Sequence, residues 1–365
     1  MNVFETLSEM GHERVVFCSN PEVGLRAIIA VHSTVLGPGL GGCRMWSYKS
    51  DQEALTDVLR LSRGMTYKAA AAGLNLGGGK AVILGDAKKD KSEELFRAFG
   101  RAVESLGGQY ITAEDVGTGL EDMEQVAMET RWVTGVSADS GGGGDPSPVT
   151  AFGVLQGIKA AAAKAFGSDS LRGLAVAIQG LGSVGFALAG YLVRDEKAKV
   201  IACDIDAAAI DQAQSELGVE IVPPGSIHQT DCDVFAPCAL GAGINQRTLP
   251  ELRCKIVAGA ANNQLEDEDR DGEAIHARGI LYAPDYVINA GGLINVYDEL
   301  FGYNRERALR RARGIYQNVA RVFDIAERDG VSTKVAADRL AEERIARVKG
   351  VGPRAWDRKL LGARR

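Results

Sequence analysis

The sequence predicts an α/β protein of two domains, and three features of the chain support this prediction. Apolar, strand-like segments alternate with helical segments after residue 174, which is typical of a parallel sheet. A glycine-rich turn, Gly180-Leu181-Gly182-Ser183-Val184-Gly185, stands between the first of those strands and a helix. A run of breaker residues at 140–148 separates this part from an N-terminal half of mixed strands and helices. The second domain is therefore expected to be a doubly wound parallel sheet of the Rossmann type.

Apolar periodicity defines the elements of the N-terminal half. Residues 51–63 have helical spacing, with Ala54, Leu55 and Val58 on one side. A second helix is predicted over 92–106, where Ser92 is the capping residue. The predicted strands of this half are the short apolar runs at 14–18, 25–32, 81–84 and 110–112.

The breaker run at 140–148 is the predicted hinge, and an Ala-rich helix is expected at 150–166. From about residue 305 the chain is amphipathic and charged, so this tail would pack on its own domain or against a neighbouring subunit. We expect residues 1–140, completed by about 330–365, to form an N-terminal α/β domain, and 141–329 the second domain, with a cleft between them. The parallel strands of the second domain are predicted at 174–179, 199–203, 234–236, 255–258 and 280–283.

Composition excludes several classes of protein. A formal net charge of -6 argues against nucleic acid or an anionic membrane surface as a partner. No apolar run approaches the roughly 20 residues of a membrane span, and no signal-peptide layout is visible, so we expect a cytoplasmic protein. The six cysteines form no CxxC pair and the four histidines no HxxH spacing, so no metal is expected.

The glycine-rich turn fits a dinucleotide site. Gly180 permits the tight turn, Gly182 lets the backbone approach a pyrophosphate, and Gly185 lets helix and strand pack closely. Leu181, Ser183 and Val184 complete the segment, whose helix N-terminus would face the phosphates with free N–H groups. Asp204, about 20 residues further on, would bind the ribose and repel a 2′-phosphate, which favours NAD over NADP. Asp206 is the alternative carboxylate.

A second candidate site lies in the N-terminal half. Lys80 follows three glycines and precedes an apolar run, so partial burial is expected to lower its pKa toward that of a general base. A solvent-facing lysine after a flexible turn is the alternative. Lys68, nearby, could stay charged and hold an anion. Asp115, just past a predicted strand, is either a proton shuttle or the cap of a helix starting near Leu120.

Taken together, these segments resemble the glutamate/leucine/phenylalanine/valine group of amino-acid dehydrogenases over nearly the whole chain. Within the group the resemblance is strongest to the enzymes that act on leucine, followed by those that act on tryptophan and phenylalanine. The segments that carry it are Leu36–Trp46, Lys68–Lys80, Thr112–Thr118, Pro146–Thr150, Ala236–Gly241, Ala258–Gln264 and Tyr286–Gly292.

The resemblance implies roles for particular residues. Lys68 would bind the substrate α-carboxylate, with the backbone of Gly41 and Gly42 nearby. Lys80 would activate the water that attacks the imino carbon, and Asp115 would move protons to and from the amino nitrogen. The residues expected on the cofactor beyond the glycine-rich turn are Thr150, Cys238, Ala239, Ala260, Asn262 and Asn289.

The resemblance also implies a substrate class. Glutamate enzymes of the group grip the distal carboxylate with Lys and Ser where this chain has Leu40 and Val296, and an unpaired carboxylate there would be costly to desolvate. Met65, Ala113 and Leu293 would complete the pocket. Branched-chain amino acids are expected, although Leu293 is typical of enzymes for aromatic side chains. A homo-oligomer is also implied, and a catalytically silent NAD-binding regulator is the alternative of another class.

Overall fold

The computed structural model describes residues 3–351, which divide into two compact units. Unit 1 comprises residues 3–144, 296–305 and 341–351, and unit 2 comprises 145–295 and 306–340. The first boundary lies at Gly144, where the sequence predicted residue 140. Residues 296–305 belong to unit 1 because the Glu299 carboxylate accepts hydrogen bonds from the Gly135 and Gly143 N–H groups, both at 2.9 Å. The predicted completion beyond residue 351 lies outside the described residues.

A mixed sheet forms the centre of unit 1. Its strand order is β1-β2-β5-β3-β6, and β4 pairs with β5. The β1–β2 and β2–β5 pairs are antiparallel, and the pairs that join β3, β4 and β6 are parallel. The strands are β1 (Arg14–Asn20), β2 (Leu25–Ser33), β3 (Gly39–Leu40), β4 (Cys43–Trp46), β5 (Gly77–Leu84) and β6 (Tyr110–Ile111).

Helices cover both faces of this sheet. Because side chains alternate along a strand, Ile28 of β2 and Val82 of β5 pack with the apolar face of α2. Ile29 and Ile83, one residue further on, pack instead with α3 and α4. The helices of unit 1 before its boundary at Gly144 are α1 (Val3–Met10), α2 (Asp51–Ala71), α3 (Glu93–Glu104) and α4 (Leu120–Ala127).

Helix α2 is longer than the sequence predicted. The Ser50 hydroxyl caps its N-terminus by accepting the Glu53 N–H at 3.1 Å. The helix then continues past Arg63 to Ala71, and Lys68 lies in its last turn, where a cation is favoured by the helix dipole.

Unit 2 contains the predicted doubly wound sheet. All six strands are parallel, in the order β12-β11-β10-β7-β8-β9, which is the Rossmann order 3-2-1-4-5-6. The strands are β7 (Ala175–Gln179), β8 (Lys199–Cys203), β9 (Glu220–Ile221), β10 (Val234–Pro237), β11 (Ile256–Val257) and β12 (Leu281–Tyr282). The helices after Gly144 are α5 (Ser147–Phe166), α6 (Ser183–Arg194), α7 (Ala207–Leu217), α8 (Glu268–Ala277), α9 (Asp285–Ile288), α10 (Gly291–Glu299), α11 (Arg305–Ala312), α12 (Ile315–Asp329) and α13 (Thr333–Lys349).

Candidate active site

Three glycines bring β5 into close contact with the elements around it. A Cβ at Gly77 would lie 1.8 Å from the Ser33 carbonyl oxygen, and one at Gly78 would lie 2.2 Å from a side-chain oxygen of α2. A Cβ at Gly79 would lie 2.5 Å from the ring of Tyr110. The close packing of this strand leaves the next residue, Lys80, only 5% exposed. The prediction of a buried lysine is confirmed.

Lys80 is paired with a carboxylate. Its Nζ lies 2.9 Å from Oδ1 of Asp115, and the second carboxylate oxygen of Asp115 accepts the Arg44 Nε–H at 2.9 Å. A buried ammonium is tolerable when it has a charged partner of this kind. Lys80 points to the same side of β5 as Val82, and Arg44 points to the opposite side of β4 from Cys43. Lys80 and Arg44 therefore lie on the sheet face that α2 covers.

The Asp115 carboxylate is held in its ionised form. Burial raises its pKa, but the Lys80 ammonium and the Arg44 guanidinium lower it by more, so the pKa lies below the ordinary aspartate value. The alternative role as a helix cap is wrong. Helix α4 is capped at Gly119, whose N–H is bound by the Asp122 carboxylate at 2.9 Å.

Some of the residues predicted to bind substrate lie close to this pair in unit 1. The Gly41 N–H donates to Ile111, and its carbonyl accepts the Tyr110 hydroxyl at 2.7 Å. A Cβ at Gly41 would lie 3.1 Å from the side chain of Met65, and one at Gly42 would lie 2.8 Å from that of Asp115.

Backbone pairing draws the neighbouring strand ends into the same region. Leu40 is 2% exposed on β3, and Ala113 is 6% exposed, with its carbonyl accepting the Cys43 N–H at 2.8 Å. Lys68 is half-buried on α2, three residues after Met65, and therefore lies on the same face of that helix. Val296 of unit 1 and Leu293 of unit 2 are three residues apart on α10; Val296 is half-buried and Leu293 is buried.

The glycine-rich turn of unit 2 has the geometry that a dinucleotide requires. Gly180 has φ 102°, and a Cβ there would lie 2.8 Å from the backbone nitrogen of Ala239. A Cβ at Gly185 would lie 2.0 Å from the Gly180 carbonyl oxygen. Gly182 caps α6, and a Cβ there would meet no atom of the described chain within 4 Å. This N-terminus is therefore open to an approaching phosphate.

Asp204 and Asp206 make different contacts. The Asp204 carboxylate accepts the Leu181 N–H at 2.5 Å and the Ile205 and Asp206 N–H groups at 2.6 and 2.9 Å. Burial raises the pKa of Asp204, but these three N–H donors lower it below the ordinary value. Asp206 is the N-cap of α7 and accepts the Ala208 N–H at 3.0 Å. Asp204 therefore contacts the glycine-rich turn, whereas Asp206 caps α7.

The other predicted cofactor residues of unit 2 also lie together. The Asn289 amide nitrogen donates to Asn262 Oδ1 at 2.8 Å and to the Ala260 carbonyl at 3.2 Å. Asn289 Oδ1 is buried and has no hydrogen-bond partner among residues 3–351, which suits an acceptor held for a ligand N–H. Burial raises the pKa of the Cys238 thiol to about 12, so it is a neutral lining group. A Cβ at Gly292 would lie 3.2 Å from Thr150 Oγ1.

The sequence analysis missed Arg44 together with its partners Asp57 and Tyr48. Arg44 stands directly after Cys43 in the segment that carried the resemblance, so the sequence could have singled it out, but it could not show which carboxylates Arg44 contacts.

Within the described residues, no group of three His, Cys, Asp or Glu side chains could hold a metal ion. None of the helices found there is both long and apolar enough to cross a membrane.

Two family profiles match this chain. Residues 12–132 match "Glu/Leu/Phe/Val dehydrogenase, dimerisation domain", and residues 205–350 match "Glutamate/Leucine/Phenylalanine/Valine dehydrogenase". A leucine dehydrogenase of Bacillus cereus is 57% identical over 349 residues, which is 96% of this chain and 95% of that protein. An L-tryptophan dehydrogenase of Nostoc punctiforme is 48% identical over 96% of this chain and 98% of its own length. The crystal structure of an L-tryptophan dehydrogenase from that organism has a TM-score of 0.87 at 45% identity, covering 95% of this chain and 99% of that one.

The Rossmann sheet, its open glycine-rich turn and these relatives define an NAD(P)-dependent dehydrogenase of small-molecule substrates. More particularly, the chain belongs to the glutamate/leucine/phenylalanine/valine dehydrogenase family, as the resemblance predicted. It is an amino-acid dehydrogenase, an oxidoreductase acting on CH–NH₂ groups.

Proposed function

We propose that this enzyme catalyses the NAD-dependent, reversible oxidative deamination of branched-chain L-amino acids to the 2-oxo acid, ammonium and NADH. Leucine, valine and isoleucine are the proposed substrates. The observation that carries the proposal is the buried Lys80–Asp115 pair, 2.9 Å apart, in a chain 56–57% identical to several proteins named leucine dehydrogenase.

The chain's own residues would divide the work in unit 1. Lys68 binds the substrate α-carboxylate as a fixed cation, with the Gly41-Gly42 backbone nearby. Asp115 exchanges a proton with the amino nitrogen, and its contact with Lys80 lets a proton pass between them. Lys80 then takes a proton from the water that attacks the imino carbon.

In unit 2 we propose that the dinucleotide is NAD. Its phosphates would lie at the N-terminus of α6, its ribose at Asp204, and its carboxamide against Asn289 and Asn262, with Thr150, Cys238, Ala239 and Ala260 lining the ring. The open Gly182 and the unpartnered Asn289 Oδ1 fit such a group. The Asp204 charge would repel a 2′-phosphate, which supports NAD over NADP. When bound, NAD supplies the redox chemistry by accepting a hydride from the substrate Cα.

Branched-chain selectivity is proposed from the apolar residues Leu40, Met65, Ala113, Leu293 and Val296. Leu40 and Ala113 are buried and hold no group that could neutralise a side-chain carboxylate, which argues against glutamate as substrate. Aromatic amino acids are the second candidate, because proteins named phenylalanine and L-tryptophan dehydrogenase are 48–50% identical to this chain. One methylene is worth only about 1–3 kcal/mol in such a pocket, so the two classes are separated by shape alone.

The test is NADH oxidation in the presence of ammonium and a panel of 2-oxo acids: 4-methyl-2-oxopentanoate, 3-methyl-2-oxobutanoate, phenylpyruvate, indolepyruvate and 2-oxoglutarate. Preference for the first two supports the proposal, and preference for the aryl acids would transfer the assignment to aromatic substrates. No reaction with any acid, together with retained NADH binding, would favour the catalytically silent regulator. Lys80→Ala should abolish turnover and leave NADH binding intact.

We also propose that the enzyme is a homo-oligomer. The profile matched by residues 12–132 is described as a dimerisation domain. Light scattering coupled to size-exclusion chromatography measures the mass directly, and a species of one 38.7 kDa chain would contradict this proposal.

A further inference from the structure

Arg44 connects the buried Lys80–Asp115 pair to helix α2. Its Nε–H donates to Asp115 Oδ2 at 2.9 Å, and its Nη1–H donates to Asp57 Oδ2 at 3.0 Å. Asp57 in turn accepts the Tyr48 hydroxyl at 2.7 Å. Each of the two carboxylates and the guanidinium is about one-fifth to one-quarter exposed, so this array is only partly screened by water.

Charges alternate along this array. The positive Lys80 faces the negative Asp115, the positive Arg44 lies between Asp115 and the negative Asp57, and the Tyr48 hydroxyl ends the series. The array occupies both Asp115 oxygens, one by each cation. An arginine suits the central position because two separate donors of its planar fork reach two carboxylates at once.

We propose that Arg44 is a positioning residue for the deamination reaction, which holds Asp115 so that one carboxylate oxygen stays directed at Lys80 and the carboxylate remains ionised. Arg44 acts through Asp115, and no contact with substrate is required of it. The inference rests on the proposed function, because it needs Asp115 to exchange protons during turnover.

The electrostatic surroundings of Asp115 support this role. Burial raises its pKa, and Lys80 and Arg44 are the groups that lower it. The Cys43 thiol and the Tyr110 hydroxyl also face it electrostatically, and burial keeps the pKa of each well above its ordinary value, so both are neutral. Asp122, on the neighbouring helix, is neutralised by Lys91 at 2.5 Å. Arg44 is therefore one of two cations that keep the Asp115 carboxylate charged.

Loss of the Arg44 charge should raise the pKa of Asp115. Burial would still raise this pKa, but Lys80 would then be the one remaining cation of the two that lower it. Oxidative deamination that requires the Asp115 carboxylate then loses rate at a higher pH than in the wild type. A neighbouring opposite charge typically lowers a carboxyl pKa by about 1–3 units, so the acidic limb of kcat/KM should move upward by about 1 unit in Arg44→Gln.

Two further variants separate this role from a purely structural one. Asp57→Ala removes the acceptor that attaches Arg44 to α2 but keeps the guanidinium next to Asp115, so kcat falls and the acidic limb does not move upward. If Arg44 only braced the sheet against α2, Asp57→Ala and Arg44→Gln would behave alike. Arg44→Lys retains the charge, and its acidic limb should lie between those of the wild type and Arg44→Gln.

Arg101→Gln is the matched control, because Arg101 binds the Glu129 carboxylate at 2.9 Å elsewhere in unit 1. It should retain the wild-type pH profile. The experiment compares pH profiles of kcat/KM for the full-length variants, with circular dichroism and NADH titration to show that each variant is folded.

The outcomes distinguish this inference from the proposed function. A wild-type enzyme that turns over none of the amino acids would refute the proposed function. An active wild type whose Arg44→Gln variant is folded and active with an unmoved acidic limb would overturn the role of Arg44 alone. The same upward shift in Arg101→Gln would also overturn it.

Discussion

Asp204→Asn is predicted to weaken NADH binding and to reduce the preference for NADH over NADPH. Asp204 accepts three backbone N–H groups, of which the 2.5 Å contact with Leu181 fixes the glycine-rich turn. An asparagine oxygen can still accept the Ile205 and Asp206 N–H groups, but its NH₂ would then face the buried Leu181 N–H. An unsatisfied buried N–H costs about 1–3 kcal/mol.

The free enzyme can avoid this cost by relaxing the turn, and NADH binding must then restore the ordered turn, so the cost appears in the affinity. At about 1.4 kcal/mol per tenfold change, the dissociation constant for NADH should rise by about 5- to 150-fold. NADPH also loses the ordered turn, but it gains relief from the carboxylate that repels its 2′-phosphate, so its affinity should fall by less. The ratio of the two dissociation constants, measured by fluorescence titration, therefore moves toward NADPH.

Asp206→Asn is the control for this experiment. Asparagine caps helices as well as aspartate does, so the bond to the Ala208 N–H at 3.0 Å should survive and both affinities should be unchanged. The reasoning is refuted if Asp206→Asn changes the NADH/NADPH ratio and Asp204→Asn does not. Equal losses for both cofactors in Asp204→Asn would limit its role to holding the turn.

Three other changes have defined expected results. Gly41→Ala should reduce turnover strongly, since its Cβ would lie 1.9 Å from a backbone carbonyl oxygen of β5. Gly64→Ala is the control and should leave kcat unchanged, because a Cβ there meets no described atom within 4 Å. Arg344→Ala should lower the free energy of unfolding by about 1–3 kcal/mol, because Arg344 binds three backbone carbonyls at the end of α2. Chemical denaturation measures this change, and a loss below about 0.5 kcal/mol would contradict the prediction. Burial lowers the pKa of both His12 and His32 to about 4, so the unfolded chain takes up protons at a higher pH than the folded protein. The free energy of unfolding therefore falls as the pH drops from about 6.5 to about 4. His32→Gln should flatten this part of the pH–stability curve, and an unchanged slope would contradict the assignment.

Local signals in the sequence were sufficient for the elements of unit 2. Strand, glycine-rich turn and helix follow one another at Ala175–Arg194 as the spacing predicts, since each depends on neighbouring residues. The strand order could not be obtained this way, because the crossover from β9 to β10 leaves no local mark. The two-residue strands β3 and β9 also escaped prediction, because each contains a single apolar residue, whereas both residues of the equally short and predicted β6 are apolar.

The candidate site shows the same division. The burial of Lys80 follows from glycines directly before it and apolar residues directly after it, although the sequence alone left a solvent-facing lysine as the alternative. The role of Asp115 was left open between a proton shuttle and a helix cap. Its partners Lys80 and Arg44 lie 35 and 71 residues away in the chain, so only the folded sheet reveals that they meet.

The three glycines before Lys80 have a reason that differs from the one the sequence suggested. The sequence placed them before a strand predicted at 81–84, with a flexible turn as the alternative. They belong instead to a central strand in which no Cβ fits, because β2, α2 and Tyr110 lie against it on separate sides. This packing fixes the strand that carries Lys80, and a fixed buried ammonium requires a carboxylate at a fixed distance. In the proposed arrangement Arg44 holds the second oxygen of Asp115 at 2.9 Å and so keeps the first directed at Lys80. The glycine run would then fix the lysine, and the distant arginine would fix its carboxylate partner.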